Sequence, residues 1–372
     1  MDKEKQSFDQ SLRDCVKTAP TYIPGRSIES IKKDYGLSSV IKLASNENPL
    51  GPAVTTISEL SSALHQYYPD VANSSSLQKL ADFLEVSKDK LILGNGSDEI
   101  IQLLALAFLD PGDEAITSEC TFSEYEFAVH LLGGILHTIP MKAHQYDLFA
   151  MKQAITDKTK LIFIANPNNP TGTIVSKEDF EAFMSAVPSS VVVVMDEAYY
   201  EYVTSAQYPQ TIKYLVNYPN LIVLRTFSKV YGLANFRIGY GIGNPSLISA
   251  LHKVKQPFNV SGVALKAAEL ALSNVEHLQK SLQVNEEGKQ FFYESFDSLG
   301  LKYVLTEANF VFVTLPVIAH DVCTSLLEKG IIVRDMVFFD EPYCIRVTIG
   351  TMDENKAFIK ALKDVLQQES GL

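Results

Sequence analysis

The sequence predicts an α/β protein: a mainly parallel sheet between layers of helices, followed by a smaller α+β domain. Three observations carry this. From about residue 90 to 260, short and uniformly apolar runs alternate with amphipathic stretches. A strand that is apolar on both faces is buried on both faces, which is the condition of a parallel sheet covered by helices. Beyond about residue 260 the alternation gives way to one long stretch with few breakers and some separated strands. The chain also has 372 residues, more than one core ordinarily spans. The expected boundaries are an N-terminal arm with part of the small domain over 1–40, the large α/β domain over 41–260, and the small α+β domain over 261–372.

The first 40 residues show no strong period and predict an arm with a short helix around 27–35. Strands are expected at 91–93, 115–117, 161–165, 191–195 and Leu221–Thr226. Segments 124–132 and Lys177–Met184 read as helices, and Ser176 with Asp179 offers the second a capping box. A helical stretch over 263–298 leads into a strand at 309–315. Strands at 331–334 and 344–349 and a helix over 353–367 close the chain. Gly239-Tyr240-Gly241-Ile242-Gly243 lacks the spacing of a dinucleotide-binding turn and reads as a close-packed strand. Ligands of such sheets bind at the carboxyl ends of the strands, so chemistry is sought there.

Composition narrows the function. Hydrophobic residues make up 46% and charged residues 20%, the balance of a globular enzyme and not of a disordered chain. A net charge of -12 repels a phosphate backbone, which argues against nucleic acid and anionic membranes as partners. The polar start, 1–15, has no apolar core of a signal peptide, and no apolar run nears the ~18 residues of a membrane helix. The four cysteines are far apart without a C-x-x-C pair, and the seven histidines lack H-E-x-x-H spacing. A cytoplasmic enzyme without a structural metal is expected.

Four strand-end motifs carry candidate chemistry. Thr226-Phe227-Ser228-Lys229, with Gly232 and Arg237 beyond, puts a lysine where a strand ends. Two hydroxyls and a guanidinium could surround an anion, and the lysine could form a Schiff base with a carbonyl cofactor. A plain turn lysine has the same local look. Asp196, after the run 191–195, needs a cationic or hydrogen-bonding partner, which a protonated pyridine nitrogen would supply; a helix-capping aspartate is the alternative. Tyr199 could donate to a phenolate oxygen on the same ring. Asn166-Pro167-Asn168-Asn169-Pro170-Thr171-Gly172 is a fixed turn that leaves Asn169 as a second donor, or is a turn and nothing more. Gly94-Asn95-Gly96-Ser97-Asp98 lies between a strand and a helix, where close backbone approach and free N–H groups suit a phosphate. Each motif alone is ambiguous; all of them after successive strands of one sheet is a pattern that chance seldom gives.

These residues, with Lys42-Leu43-Ala44-Ser45-Asn46-Glu47-Asn48-Pro49-Leu50-Gly51-Pro52, Tyr68-Pro69-Asp70 and Ile345-Arg346-Val347-Thr348-Ile349-Gly350-Thr351, make the chain recognisable. From about residue 20 to the end it resembles fold-type I pyridoxal-phosphate-dependent aminotransferases and, within them, the histidinol-phosphate aminotransferases. The lysine–arginine and aspartate–tyrosine spacings are specific to the fold type. Asn46 to Pro52 with Tyr68-Pro69-Asp70 is characteristic of the subfamily, though other specificities share it.

The resemblance implies pyridoxal 5'-phosphate as cofactor and a role for each residue. Lys229 forms the Schiff base and then moves the proton between the substrate Cα and the cofactor C4′. Asp196 holds the pyridinium proton, Asn169 and Tyr199 bind the ring oxygen, and Phe122 stacks on the ring where many relatives have tyrosine. Gly96, Ser97, Thr226, Ser228 and Arg237 hold the phosphate, with Asp98 mainly capping the helix. Tyr68 reaches the phosphate in the neighbouring subunit, which implies a homodimer with shared active sites. Arg346 grips the substrate's acidic group, Arg334 is positioned like a second arginine, Tyr22 like an N-terminal lid, and Asn48 belongs with the substrate contacts. The segment 335–342 does not align with the family pattern.

The activity so implied is transamination between histidinol phosphate and 2-oxoglutarate, giving imidazole-acetol phosphate and glutamate in histidine synthesis. An aromatic amino-acid or dual-specificity aminotransferase on the same scaffold is the nearest alternative, because apolar discrimination is limited to roughly 1–3 kcal/mol per methylene-sized difference. A phosphoamino-acid decarboxylase and the cofactor-binding domain of a transcription regulator stand further off.

Overall fold

The computed structural model describes residues 10–18, 28–54, 66–70 and 74–369. Thirteen strands are found among them: β1 Ile41–Lys42, β2 Leu91–Gly94, β3 Glu114–Ser118, β4 Ile135–Ile139, β5 Thr159–Ala165, β6 Val192–Asp196, β7 Leu221–Thr226, β8 Gly239–Gly243, β9 Lys302–Val304, β10 Phe310–Thr314, β11 Ile331–Ile332, β12 Arg334–Asp335 and β13 Cys344–Thr348.

Seven of these form the main sheet, in the order β2-β8-β7-β6-β5-β3-β4. All neighbours run parallel except β8, which is antiparallel to both β2 and β7. Two reversals restore direction, so β2 points the same way as β7, and its end joins the others on one side. Every residue of β6 and β7 is buried, the apolar runs and the polar Asp196, Arg225 and Thr226 that end them alike. The α/β class, the five expected strands of the large sheet and the glycine-rich strand β8 are all present. β4 was not foreseen: it is an edge strand, half exposed, and His137 and Thr138 interrupt its apolar pattern.

A second sheet, β12-β13-β10-β9, is antiparallel throughout. β1 pairs in parallel with β11, and Ile41 and Leu43 pack with the cluster around Phe292, Val347 and Phe358. The structure thus places the start of the 41–260 segment with the small unit, and the chain joins the large core only at Ala53 and Val54.

The helical stretch expected over 263–298 is two helices, Gly262–Ala271 and Val275–Ser298. No glycine or proline marks the break; Asn274 makes it, its side chain accepting from His277 N–H at 3.0 Å as the second helix's N-cap. Helix Lys177–Met184 starts as expected, with Ser176 accepting from Asp179 N–H at 3.1 Å. None of the helices among the described residues is long and apolar enough to cross a membrane.

Candidate active site

The carboxyl ends of β2, β3, β5, β6 and β7 open onto a cavity of about 340 Å³. Phe122, Asn169, Asp196, Thr226 and Lys229 all line it, so the loops expected to carry chemistry do converge.

Asp196 is the last residue of β6 and is 4% exposed. Burial pushes its carboxyl up to about 6, opposed by a 2.8 Å hydrogen bond from the Tyr125 hydroxyl. Its other oxygen accepts from Ala198 N–H at 3.3 Å. Tyr125 is fully buried, stacked on Phe163 at 4.8 Å and met edge-on by Phe122. Behind this wall Glu197 forms a buried ion pair with Arg225 at 2.8 Å, and the guanidinium lies over the Tyr200 ring. That pair ties the ends of β6 and β7 together.

The same cavity carries an anion cradle. Helix Ser97–Phe108 begins at Gly96, whose φ of +79° suits glycine and which makes no side-chain cap, so first-turn N–H groups are left for a ligand. A Cβ at Gly96 would lie 2.9 Å from an Arg237 guanidinium nitrogen. Asp98 does not cap this helix, contrary to the expectation; it pairs with Arg237 at 2.9 Å and fixes the guanidinium at the cavity wall. Ser228 N–H donates to Thr226 Oγ1 at 3.1 Å, and the Thr226 and Ser228 hydroxyls lie 3.0 Å apart.

Lys229 Nζ makes a long 3.5 Å hydrogen bond to the Ser45 carbonyl and sits 5.5 Å from the centre of the Tyr199 ring. The Tyr199 oxygen accepts from the Asn46 carboxamide at 2.9 Å. Asn169 accepts from Arg346, whose guanidinium also donates to the Ala44 carbonyl at 2.6 Å. Arg346 lies on β13 directly across from Arg334 on β12, and both line the cavity. Burial, reinforced by Arg334, lowers the Arg346 pKa to about 10, against the opposite pull of Tyr199. Arg346 Nε is buried with no hydrogen-bond partner among the described residues. Two cations side by side with an idle buried donor fit an anion.

Not every expected contact is here. Asn48 does not line the cavity: its amide donates to the Val230 carbonyl at 2.7 Å and the Ser281 hydroxyl at 2.8 Å, and its oxygen accepts from Leu50 N–H. That carboxamide clamps the strap 43–53 to helix Val275–Ser298, with both of its N–H donors used inside the protein. Tyr68 does not line its own chain's cavity; it is 80% exposed and stacks on Phe258 at 4.8 Å. Tyr22 lies outside the described residues. Sequence reasoning missed Tyr125, Asn46 and Phe339, the last a cavity-lining residue in the unaligned segment. The only hint of Tyr125 was its place one turn after Phe122. Among the described residues no cluster of three metal-ligating side chains is found.

The donor set fits pyridoxal phosphate. Among the described residues the buried Asp196 carboxyl forms no ion pair, a glycine-started helix and Arg237 offer a phosphate cradle, and Lys229 lines the same cavity.

Comparison with known proteins agrees. The family model for aminotransferase class I and II matches residues 38–362. The histidinol-phosphate aminotransferases of Moorella thermoacetica and Caldicellulosiruptor saccharolyticus are 45% and 46% identical to this chain over 98% and 95% of its length, which covers 95% and 100% of theirs. The structure of histidinol-phosphate aminotransferase from Sinorhizobium meliloti in complex with pyridoxal-5'-phosphate matches with a TM-score of 0.88 at 27% identity, over 96% of this chain and 98% of that one. The cavity, the sheet order and these relatives converge on one assignment: the chain belongs to the aminotransferase class I and II family.

Proposed function

We propose that this protein is a pyridoxal-phosphate-dependent transaminase acting between L-histidinol phosphate and 2-oxoglutarate, giving imidazole-acetol phosphate and L-glutamate in histidine synthesis, in the cytoplasm. The observation that carries it is the cross-strand pair Arg334 and Arg346, both facing the cavity. One arginine matches a carboxylate bidentately, whereas a phosphate ester has room for the donors of two.

Bound pyridoxal phosphate supplies an electron sink for the electron pair left on the substrate carbon that bears the amine. Asp196 holds the proton at the ring nitrogen, and Tyr125 keeps that carboxylate ionised and aimed. Asn169 and Tyr199 would hold the ring oxygen, Phe122 would cover a ring face, and Gly96, Ser97, Thr226, Ser228 and Arg237 would bind the phosphate. Lys229 takes the proton from the amine-bearing carbon and would return it at the cofactor's C4′, on the far side of the amine nitrogen. Arg346, with Asn169 and Ala44 holding two of its nitrogens, orients the substrate's acidic group and accepts the glutamate carboxylate as well as the phosphate.

The exposed Tyr68–Phe258 stack supports a homodimer in which Tyr68 serves the neighbouring cavity. Sedimentation equilibrium measures this, and a fully active monomer would refute it. The substrate assignment is tested by transamination to 2-oxoglutarate with histidinol phosphate, phenylalanine and tyrosine as donors. A kcat/KM at least about a hundredfold higher for histidinol phosphate, about 2.7 kcal/mol of discrimination, is expected. Comparable values would make the protein an aromatic or dual-specificity enzyme.

A further inference from the structure

Asn46 sits at the crossing of the two sheets in a conformation that a side chain seldom takes. It is 1% exposed with a φ of +57°. Three hydrogen bonds hold it there. Its N–H donates to Thr348 Oγ1 at 3.0 Å, Thr348 Oγ1 donates to its Oδ1 at 3.2 Å, and Asn309 Nδ2 donates to its carbonyl at 3.0 Å. Thr348 closes β13 and Asn309 precedes β10, so all three come from the four-stranded sheet.

The carboxamide oxygen faces Thr348, and the nitrogen is what meets Tyr199. That nitrogen donates to the Tyr199 oxygen at 2.9 Å. A phenol hydroxyl has one proton, which lies near the ring plane on one side or the other. A donor on one side leaves the proton the other side. Tyr199 is 4% exposed, pinned edge-on by Phe310 at 5.1 Å, and lines the cavity. No residue among those described accepts its proton.

We infer that Asn46 is a positioning residue for Tyr199, whose proton it turns into the cavity, and that the four-stranded sheet sets this through Thr348 and Asn309. The inference rests on the reading of Tyr199 as a donor to the cofactor's ring oxygen. It gives the sheet that carries the substrate arginines a direct line to the cofactor's electronics.

The test is the pH midpoint of the bound cofactor's visible absorbance in the holoenzyme. A donor to a negatively charged oxygen holds it ionised to lower pH, so losing the donor moves the midpoint up. Asn46→Gly isolates the carboxamide, because glycine accepts the left-handed backbone without strain. The expected shift is upward by about half a unit to one unit in Asn46→Gly, with at least as much in Tyr199→Phe. The double variant should move no further than Tyr199→Phe alone, because Asn46 acts only through that hydroxyl. An unmoved midpoint in Asn46→Gly beside a moved one in Tyr199→Phe overturns the role of Asn46, and so do additive shifts. An unmoved midpoint in Tyr199→Phe overturns instead the reading of Tyr199, and the inference falls with it. Should Asn46→Gly fail to fold, Thr348→Val removes the hydroxyl that fixes the carboxamide; the same upward shift is expected, and its absence is equally decisive.

Discussion

The Tyr125 hydroxyl donates a 2.8 Å hydrogen bond to Asp196 in a part of the core where neither side chain is more than 4% exposed. Burial raises the Asp196 pKa to about 6, above the ~3.9 of an unfolded chain. Between those values the folded chain binds more protons than the unfolded one, so stability falls as pH rises through that window and stays reduced above it. In cofactor-free protein, Asp196→Asn should remove a decline of about 2–3 kcal/mol between pH 4 and 7. Tyr125→Phe should steepen it, because it removes a donor to the ionised form. Urea denaturation at both pH values measures this, and equal declines in wild type and Asp196→Asn would contradict it.

Lys229→Ala should abolish the absorbance band of the Schiff base that the lysine forms with the cofactor and lower turnover at least about a thousandfold, within the range of a positioned proton-transfer group. The side chain is only partly buried and its hydrogen bond to the Ser45 carbonyl is long, so the melting temperature should barely change. Normal turnover in this variant would sink the catalytic assignment.

Arg334→Ala should cost about 2–3 kcal/mol in kcat/KM for histidinol phosphate, as befits lost charge-assisted hydrogen bonds. The loss for phenylalanine should be under about threefold, since its carboxylate is served by Arg346. Steady-state kinetics on both donors decide it: equal losses would move Arg334 off the substrate.

Gly239 opens β8, and a Cβ there would lie 2.5 Å from Ser97 N and 3.0 Å from the Arg225 carbonyl. Neither is a flexible side-chain end that could step aside. Gly239→Ala should therefore cost about 1–3 kcal/mol of stability and weaken cofactor binding by pushing the helix start away. Denaturation and equilibrium dialysis check the two effects; a variant unchanged in both would mean that the cradle has slack.

What could be read from the sequence divides along physical lines. β5, β6 and β7 were legible because burial on both faces leaves an unbroken apolar run. Asp196, Thr226 and Lys229 were legible because a polar residue ending such a run must face something. Tyr125 and Asn46 were not, because their partners lie 71 and 153 residues away and only the fold brings them together. Asn48 was misassigned for a related reason. It shares a motif with Asn46, but its carboxamide turns toward helix Val275–Ser298 and away from the cavity. Segment 335–342 folds as the end of β12 and a 3-10 turn, Val337–Phe339, irregular backbone with no period to read.

Within one chain, the residues proposed to hold the cofactor lie between Gly96 and Arg237 around the strand ends of the main sheet, whereas Arg334 and Arg346 hang on the antiparallel one. What the cavity admits can therefore change through substitutions around Arg334, Phe339 and Arg346, leaving the catalyst intact. Asn46 and Asn169 limit that freedom, since each bonds across the divide. Substitutions on the arginine side that keep those two contacts are the ones through which new substrates would arise.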